Sequence, residues 1–68
     1  MGIFNEIKIL TLLMEGTEID MLREVIKKHN ISSIETEIEP NKIKFKLKVN
    51  REQKYHVNML LGYLELYD

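Results

Sequence analysis

The alternation from Ser33 to Val49 constrains this chain more than any other stretch. Ile34, Thr36 and Ile38 alternate with Glu35, Glu37 and Glu39, and beyond Pro40-Asn41 the residues Ile43, Phe45, Leu47 and Val49 alternate with Lys42, Lys44, Lys46 and Lys48. A period of two is the signature of strands with one buried face, and Pro-Asn between two such runs is turn chemistry. Closing the hairpin at Pro40-Asn41 predicts a register that opposes Ile38 to Ile43, Glu39 to Lys42, Glu37 to Lys44 and Glu35 to Lys46. In that register Ile34, Ile38, Ile43, Phe45 and Leu47 enter the core, and the charges neutralise one another on the other face. A slip of one residue would set glutamates against isoleucines.

Residues 3 to 15 admit two readings. Ile7, Ile9 and Thr11 favour a strand, whereas Leu10, Leu12, Leu13 and Met14 favour a helix with Lys8, Thr11 and Glu15 as its polar stripe. The strand is the preferred reading. Gly16 then breaks the chain, and Thr17 is placed to cap an amphipathic helix over about 18 to 29, with Glu18 and Asp20 at its positive end. Lys27, Lys28 and His29 suit the negative end, Asn30 can take the left-handed conformation, and Ile31 can fold back onto Ile26. After the hairpin, Asn50 and Gln53 have capping-box spacing. Arg51, Lys54, Asn58, Gly62 and Glu65 continue as one polar stripe, which predicts a single helix from 51 to about 66. A break at Gly62 with a last strand from Tyr63 to Tyr67 would instead complete a four-stranded, ferredoxin-like sheet.

The predicted order is βαββα, an α+β fold in a single domain over residues 1–68. Its three-stranded antiparallel sheet would carry two helices on one face, with the Lys42 to Val49 strand in the centre. Were residues 3 to 15 helical, the order would be ααββα, winged-helix-like. Glu15-Gly16-Thr17 then looks like the turn of a helix-turn-helix protein, a resemblance over residues 7 to 29. Where a recognition helix should follow, Ile34 to Glu39 shows strand alternation with carboxylates.

Composition narrows the function classes. With 68 residues and no cysteine, neither disulfides nor thiolate metal sites can supplement the small core. A formal net charge of −1 supplies no global field for nucleic acid or an anionic membrane. No uncharged run is long enough to span a bilayer and no signal-peptide pattern opens the chain, so a soluble cytoplasmic protein is expected. Alanine is absent, and isoleucine, lysine and asparagine supply about a third of positions against the usual mixture. That bias fits an AT-rich genome, including that of a phage or other mobile element.

Chemistry-bearing constellations are sparse. His29 falls on the apolar stripe of the first helix, and His56 follows Glu52 by one turn; two ligands do not make a metal site. Ser32 and Ser33 have neither a histidine and carboxylate at hand nor a glycine-rich loop nearby. Glu15, Glu18, Asp20 and Glu24 read as helix capping, with imitation of DNA phosphates as the sharper alternative. No catalytic residue, metal or cofactor is expected. Phe45 points away from the lysines beside it, so the lysine row has no stacking platform for bases.

Unburied apolar surface is what stands out. Tyr55, Val57, Met59, Leu60, Tyr63, Leu64, Leu66 and Tyr67 spread around more than half of the last helix, and the first strand is apolar on both faces. The expected function is a non-enzymatic homodimer that binds, and regulates or inhibits, another protein. Its interface would use Leu10, Leu12, Met14, Tyr55, Met59, Tyr63, Leu66 and Tyr67, and edge pairing of the first strand would make a six-stranded sheet. The alternative is a DNA-binding regulator of winged or helix-turn-helix type that uses Lys27, Lys28, Lys44, Lys46 and Lys48.

Overall fold

A computed structural model of the chain describes the backbone of residues 6–67 and the side chains of residues 6–66. The elements are β1 (Lys8–Glu15), α1 (Thr17–Lys28), β2 (Ser32–Glu39), β3 (Lys42–Val49) and α2 (Arg51–Tyr67). The strands form one antiparallel sheet in the order β1-β3-β2. The fold is therefore α+β with the βαββα order, and β3 is central. Residues 3–5 of the ambiguous first stretch lie outside the described residues.

The core forms where β3 turns its apolar side inward. Phe45, Leu47 and Val49 are fully buried there, joined by Met14 from β1, Ile19 and Leu22 from α1, Ile31 from the link and Val57 from α2. Pairing with β3 also decides the first segment. Every residue of β1 from Lys8 to Glu15 has a partner on β3, and the resulting ladder outweighs the helical preference of its leucines. The ααββα order is thereby ruled out.

Both helices are held at their ends by local chemistry. α1 ends as its sequence predicts: Asn30 has φ 56°, the Ile31 N–H donates to the Ile26 carbonyl at 2.9 Å, and the Asn30 N–H donates to Lys27 at 3.4 Å. These bonds form a Schellman closure. Its start differs from expectation, since Thr17 is the first helical residue and Gly16 occupies the cap position with φ 57° and ψ −129°. The Gly16 N–H donates to the Asn41 carbonyl at 3.0 Å, which ties the β1–α1 corner to the hairpin turn. At the start of α2 the capping box forms in both directions: Gln53 N–H to Asn50 Oδ1 at 2.8 Å and Asn50 N–H to Gln53 Oε1 at 2.9 Å. α2 runs through Gly62 without a break, so no fourth strand forms among the described residues.

The hairpin departs from its predicted register. Glu39 pairs with Lys42 as expected, but a bulge between Glu37 and Glu39 shifts everything behind it, opposing Glu37 to Ile43, Thr36 to Lys44, Glu35 to Phe45 and Ile34 to Lys46. The turn explains why. Pro40 holds φ negative at the first turn position while Asn41 has φ 76°, a combination that belongs to a type II turn. The two-residue turns that match strand twist need positive φ at that first position, so proline excludes them. An extra residue in one strand restores the twist.

The bulge changes the faces of β2. Glu35 and Glu37 turn to the helix side and Ile34 and Thr36 to the open side, so the predicted Glu37–Lys44 and Glu35–Lys46 pairs do not form. Ile34 is 66% exposed and Ile38 49%, and neither enters the core. Glu35 finds Arg23 of α1 instead, in a two-pronged bond of 2.7 and 3.1 Å. That contact fastens the otherwise exposed edge strand to the helix layer.

Gly16 gives the fold a sharp test. Its backbone angles are strained for any residue with a Cβ, although space for the atom exists beside Asn41. Gly16→Ala is expected to lower unfolding stability by roughly 1 to 3 kcal/mol, read from the midpoint of urea denaturation.

Candidate functional site

Three features outside the core carry unusual chemistry: the junction of the two helices, the outer side of α2 and the open side of the sheet. At the junction the Gln53 side chain does more than cap α2. Its Nε2 donates to the backbone carbonyls of His29 at 3.0 Å and Asn30 at 3.4 Å. Beside it the His29 and His56 rings stack with centroids 3.8 Å apart and planes 13° from parallel. Burial pushes the His29 imidazole below its ordinary range, and positive charge at His56 and Lys28 reinforces the shift against the opposing Glu52 carboxylate. Parallel rings at this distance do not aim their nitrogens at one point. Among the described residues no group of three or more histidine, aspartate or glutamate side chains could hold a metal ion.

α2 has two apolar sides. Val57 is buried and Leu60, Leu61 and Leu64 are half-buried against the core, while Tyr55, Met59, Tyr63 and Leu66 are exposed. At 100° per residue, Tyr55, Met59 and Leu66 lie almost opposite Val57, and Gly62 falls on the same outer ridge. Leu66 is 81% exposed, the most exposed of the chain's large apolar side chains among the described residues. Tyr55 also meets His56 edge to face at 5.5 Å.

The open side of the sheet holds the third feature. Cross-strand partners share a face, so Ile9, Thr11 and Leu13 of β1 stand beside Lys48, Lys46 and Lys44 of β3, with Ser32, Ile34 and Thr36 of β2 beyond them. Lys42, at the end of the row, reaches Glu15 at 3.5 Å and Glu39 at 3.7 Å. Among the described residues no carboxylate lies within ion-pair distance of Lys44, Lys46 or Lys48. A shallow pocket of about 220 Å³ opens on this face between Ile9, Ile34, Lys46 and Lys48.

The residues expected at an interface divide accordingly. Tyr55, Met59, Tyr63 and Leu66 share the exposed side of α2, whereas Met14 is only 3% exposed and Leu10 and Leu12 pack against the core. β1 turns its other apolar set outward, with Ile9 and Leu13 about half exposed. Tyr67 closes α2, and its side chain lies outside the described residues. The lysines of the DNA-binding alternative are separated: Lys27 and Lys28 end α1 in the helix layer, while Lys44, Lys46 and Lys48 occupy the opposite side of the sheet. The acidic residues near α1 have local duties. Glu18 accepts from the Glu15 N–H at 3.1 Å, and Asp20 faces Arg23 at 3.7 Å.

Sequence reasoning missed the histidine stack and the unpaired lysines. The first joins residues far apart in the chain and has no local signal. The second had one, because a proline at the first turn position argues against an unbulged two-residue hairpin. Comparison with family models, curated proteins and solved structures finds no match for this chain.

The lowered affinity of His29 for a proton sets a pH dependence. In the unfolded chain the ring titrates near 6.5, while the folded ring takes its proton only at lower pH. The stability carried by the neutral ring is therefore complete above that pH and is lost as pH falls from there through the folded value. The urea midpoint is expected to fall between pH 7.5 and 5.5. His29→Phe, which keeps a flat ring but cannot take up a proton, should flatten that slope.

Proposed function

We propose that this chain is a small non-enzymatic binding protein that works as a homodimer and acts by occupying, and so regulating or inhibiting, another protein. The observation that carries this reading is the outer ridge of α2, a row of large apolar side chains facing away from the chain's own core. Burying one such side chain is worth about 1.5 to 3 kcal/mol, so a ridge of several is a substantial driving force for association.

The spacing of the ridge favours a second copy as the occupant. Tyr55, Met59, Gly62 and Leu66 stand at i, i+4, i+7 and i+11, the interval of a helix–helix seam. A mid-helix glycine costs about 1 kcal/mol relative to alanine, and nothing among the described residues demands it: its φ is not positive and a Cβ there would meet none of them within 4 Å. In an antiparallel pairing, Met59 would fill the notch at Gly62 of the partner subunit, and Tyr55 would face Leu66 of the partner subunit. The charges agree with that direction. Arg51 and Lys54 begin one flank of the ridge and Glu65 ends it, and antiparallel packing, which lays that flank against its own copy in reverse, brings these opposite charges together. Antiparallel helix dipoles add to the preference.

The competing reading, a DNA-binding regulator, has less support, because its lysines lie on opposite sides of the sheet. Edge pairing of β1 is a second route to a dimer, and it would not depend on the α2 ridge.

Sedimentation equilibrium of the purified protein should show a dimer at micromolar concentration, and Met59→Glu or Leu66→Glu should convert it to monomer. Gly62→Ala should stabilise the isolated helix by about 0.5 to 1 kcal/mol yet weaken dimerisation. A dimer indifferent to all three substitutions points to the β1 edge, and a monomer at several hundred micromolar defeats the dimer altogether.

A further inference from the structure

We infer that the open side of the sheet docks an acidic amphipathic helix of another protein. This deepens the reading of the chain as a protein-binding module and is independent of how it dimerises. Two observations converge on it. The bulge turns Glu35 and Glu37 away, leaving Lys44, Lys46 and Lys48 without carboxylates among the described residues. The same face exposes Ile9 and Leu13 on one side of the lysine row and Ile34 on the other.

Dimensions and chemistry select the occupant. Strands lie roughly 4.8 Å apart, so the two apolar borders are about 10 Å from each other with lysines between them. An α-helix is about 10 to 12 Å across with its side chains. Laid along β3, such a helix would set a line of carboxylates on the lysines and its flanking apolar side chains on Ile9, Leu13 and Ile34. The lysine stems add apolar contact while their ammonium groups reach the carboxylates. The 220 Å³ pocket between Ile9, Ile34, Lys46 and Lys48 has room for one apolar anchor at the end of that line. A nucleic-acid strand would satisfy the lysines alone. It would leave three exposed aliphatic side chains against sugar and phosphate, and among the described residues this face presents no aromatic ring on which a base could stack.

The test is an NMR titration of the full ¹⁵N-labelled chain with three probes. These are a synthetic 18-residue helical peptide carrying a line of glutamates flanked by leucines, the same peptide with glutamine for every glutamate, and single- and double-stranded oligonucleotides. The glutamate peptide should bind in the micromolar range and shift the amides of Ile9, Leu13, Ile34 and Lys46. The glutamine peptide should bind at least tenfold more weakly. Reversing the row with Lys44→Glu, Lys46→Glu and Lys48→Glu should weaken the glutamate peptide at least tenfold, and Ile34→Ser should weaken it severalfold. If the triple reversal does not fold, the corresponding glutamine substitutions decide the same point.

Absence of binding at millimolar peptide overturns the inference, as do shifts confined to α2. Tighter binding of an oligonucleotide, lost in the same lysine variants, assigns the face to nucleic acid instead. Sedimentation of the same samples separates the two proposals, since loss of peptide binding with the dimer intact removes only this surface.

Discussion

Everything in this fold depends on the burial of one side of β3. Phe45, Leu47 and Val49 lose all contact with solvent, and each neighbouring element is placed by what it contributes to covering them. β1 pairs along its whole length on one side and brings Met14, while α1 and α2 close the cover with Leu22 and Val57. Among the described residues no second core exists to compensate, so the alternation of Lys42 to Val49 settles both which way the helices lie and which face of the sheet stays open. The lysines between the core residues are the other half of the same alternation. Their exposure is a geometric consequence of burying Phe45.

A second constraint is smaller and acts on the surface. Pro40 prevents the hairpin from closing with a turn that matches strand twist, and the bulge at Ile38 absorbs the mismatch. That single extra residue exchanges the two sides of β2. Glu35 is delivered to Arg23, whose bond holds the Glu35 carboxyl below its ordinary range and raises the guanidinium above its own. Lys44, Lys46 and Lys48 are left without a carboxylate partner among the described residues, and Ile34 is set beside them. A proline in a two-residue loop thus separates a neutral, self-satisfied face from one that presents free positive charge with apolar borders.

The helix layer is tied by polar groups rather than by area alone. Gln53 satisfies the start of α2 and, through its other end, the carbonyls at the end of α1, where the stacked rings of His29 and His56 fill the space beside it. This junction sets the rotation of α2 about its axis. With Val57 inward, the ridge of Tyr55, Met59, Gly62 and Leu66 has no direction left but outward. The described residues therefore present two exposed surfaces on opposite sides, an apolar one on α2 and a basic one with apolar borders on the sheet.

The elements and most of their ends were legible in the residues. The Schellman closure at Asn30 and Ile31 and the capping box at Asn50 and Gln53 rest on local signals of a few residues each, the continuity of α2 through Gly62 on a polar stripe along the whole helix, and the centrality of β3 on the handedness of the crossover. What the sequence determined by itself was α1, the hairpin strands and α2 in their order, the inward set of β3 and the excess of apolar side chains on α2, whereas pairing with β3 decided that a strand opens the chain. The side of β1 that turns inward was not readable, since both its faces are apolar and only the register with β3 distinguishes Met14 from Leu13. The fate of the glutamates was decided by tertiary structure as well. One bulged residue reverses the parity of a strand, and alternation alone records the period of a pattern without saying which phase meets its neighbour.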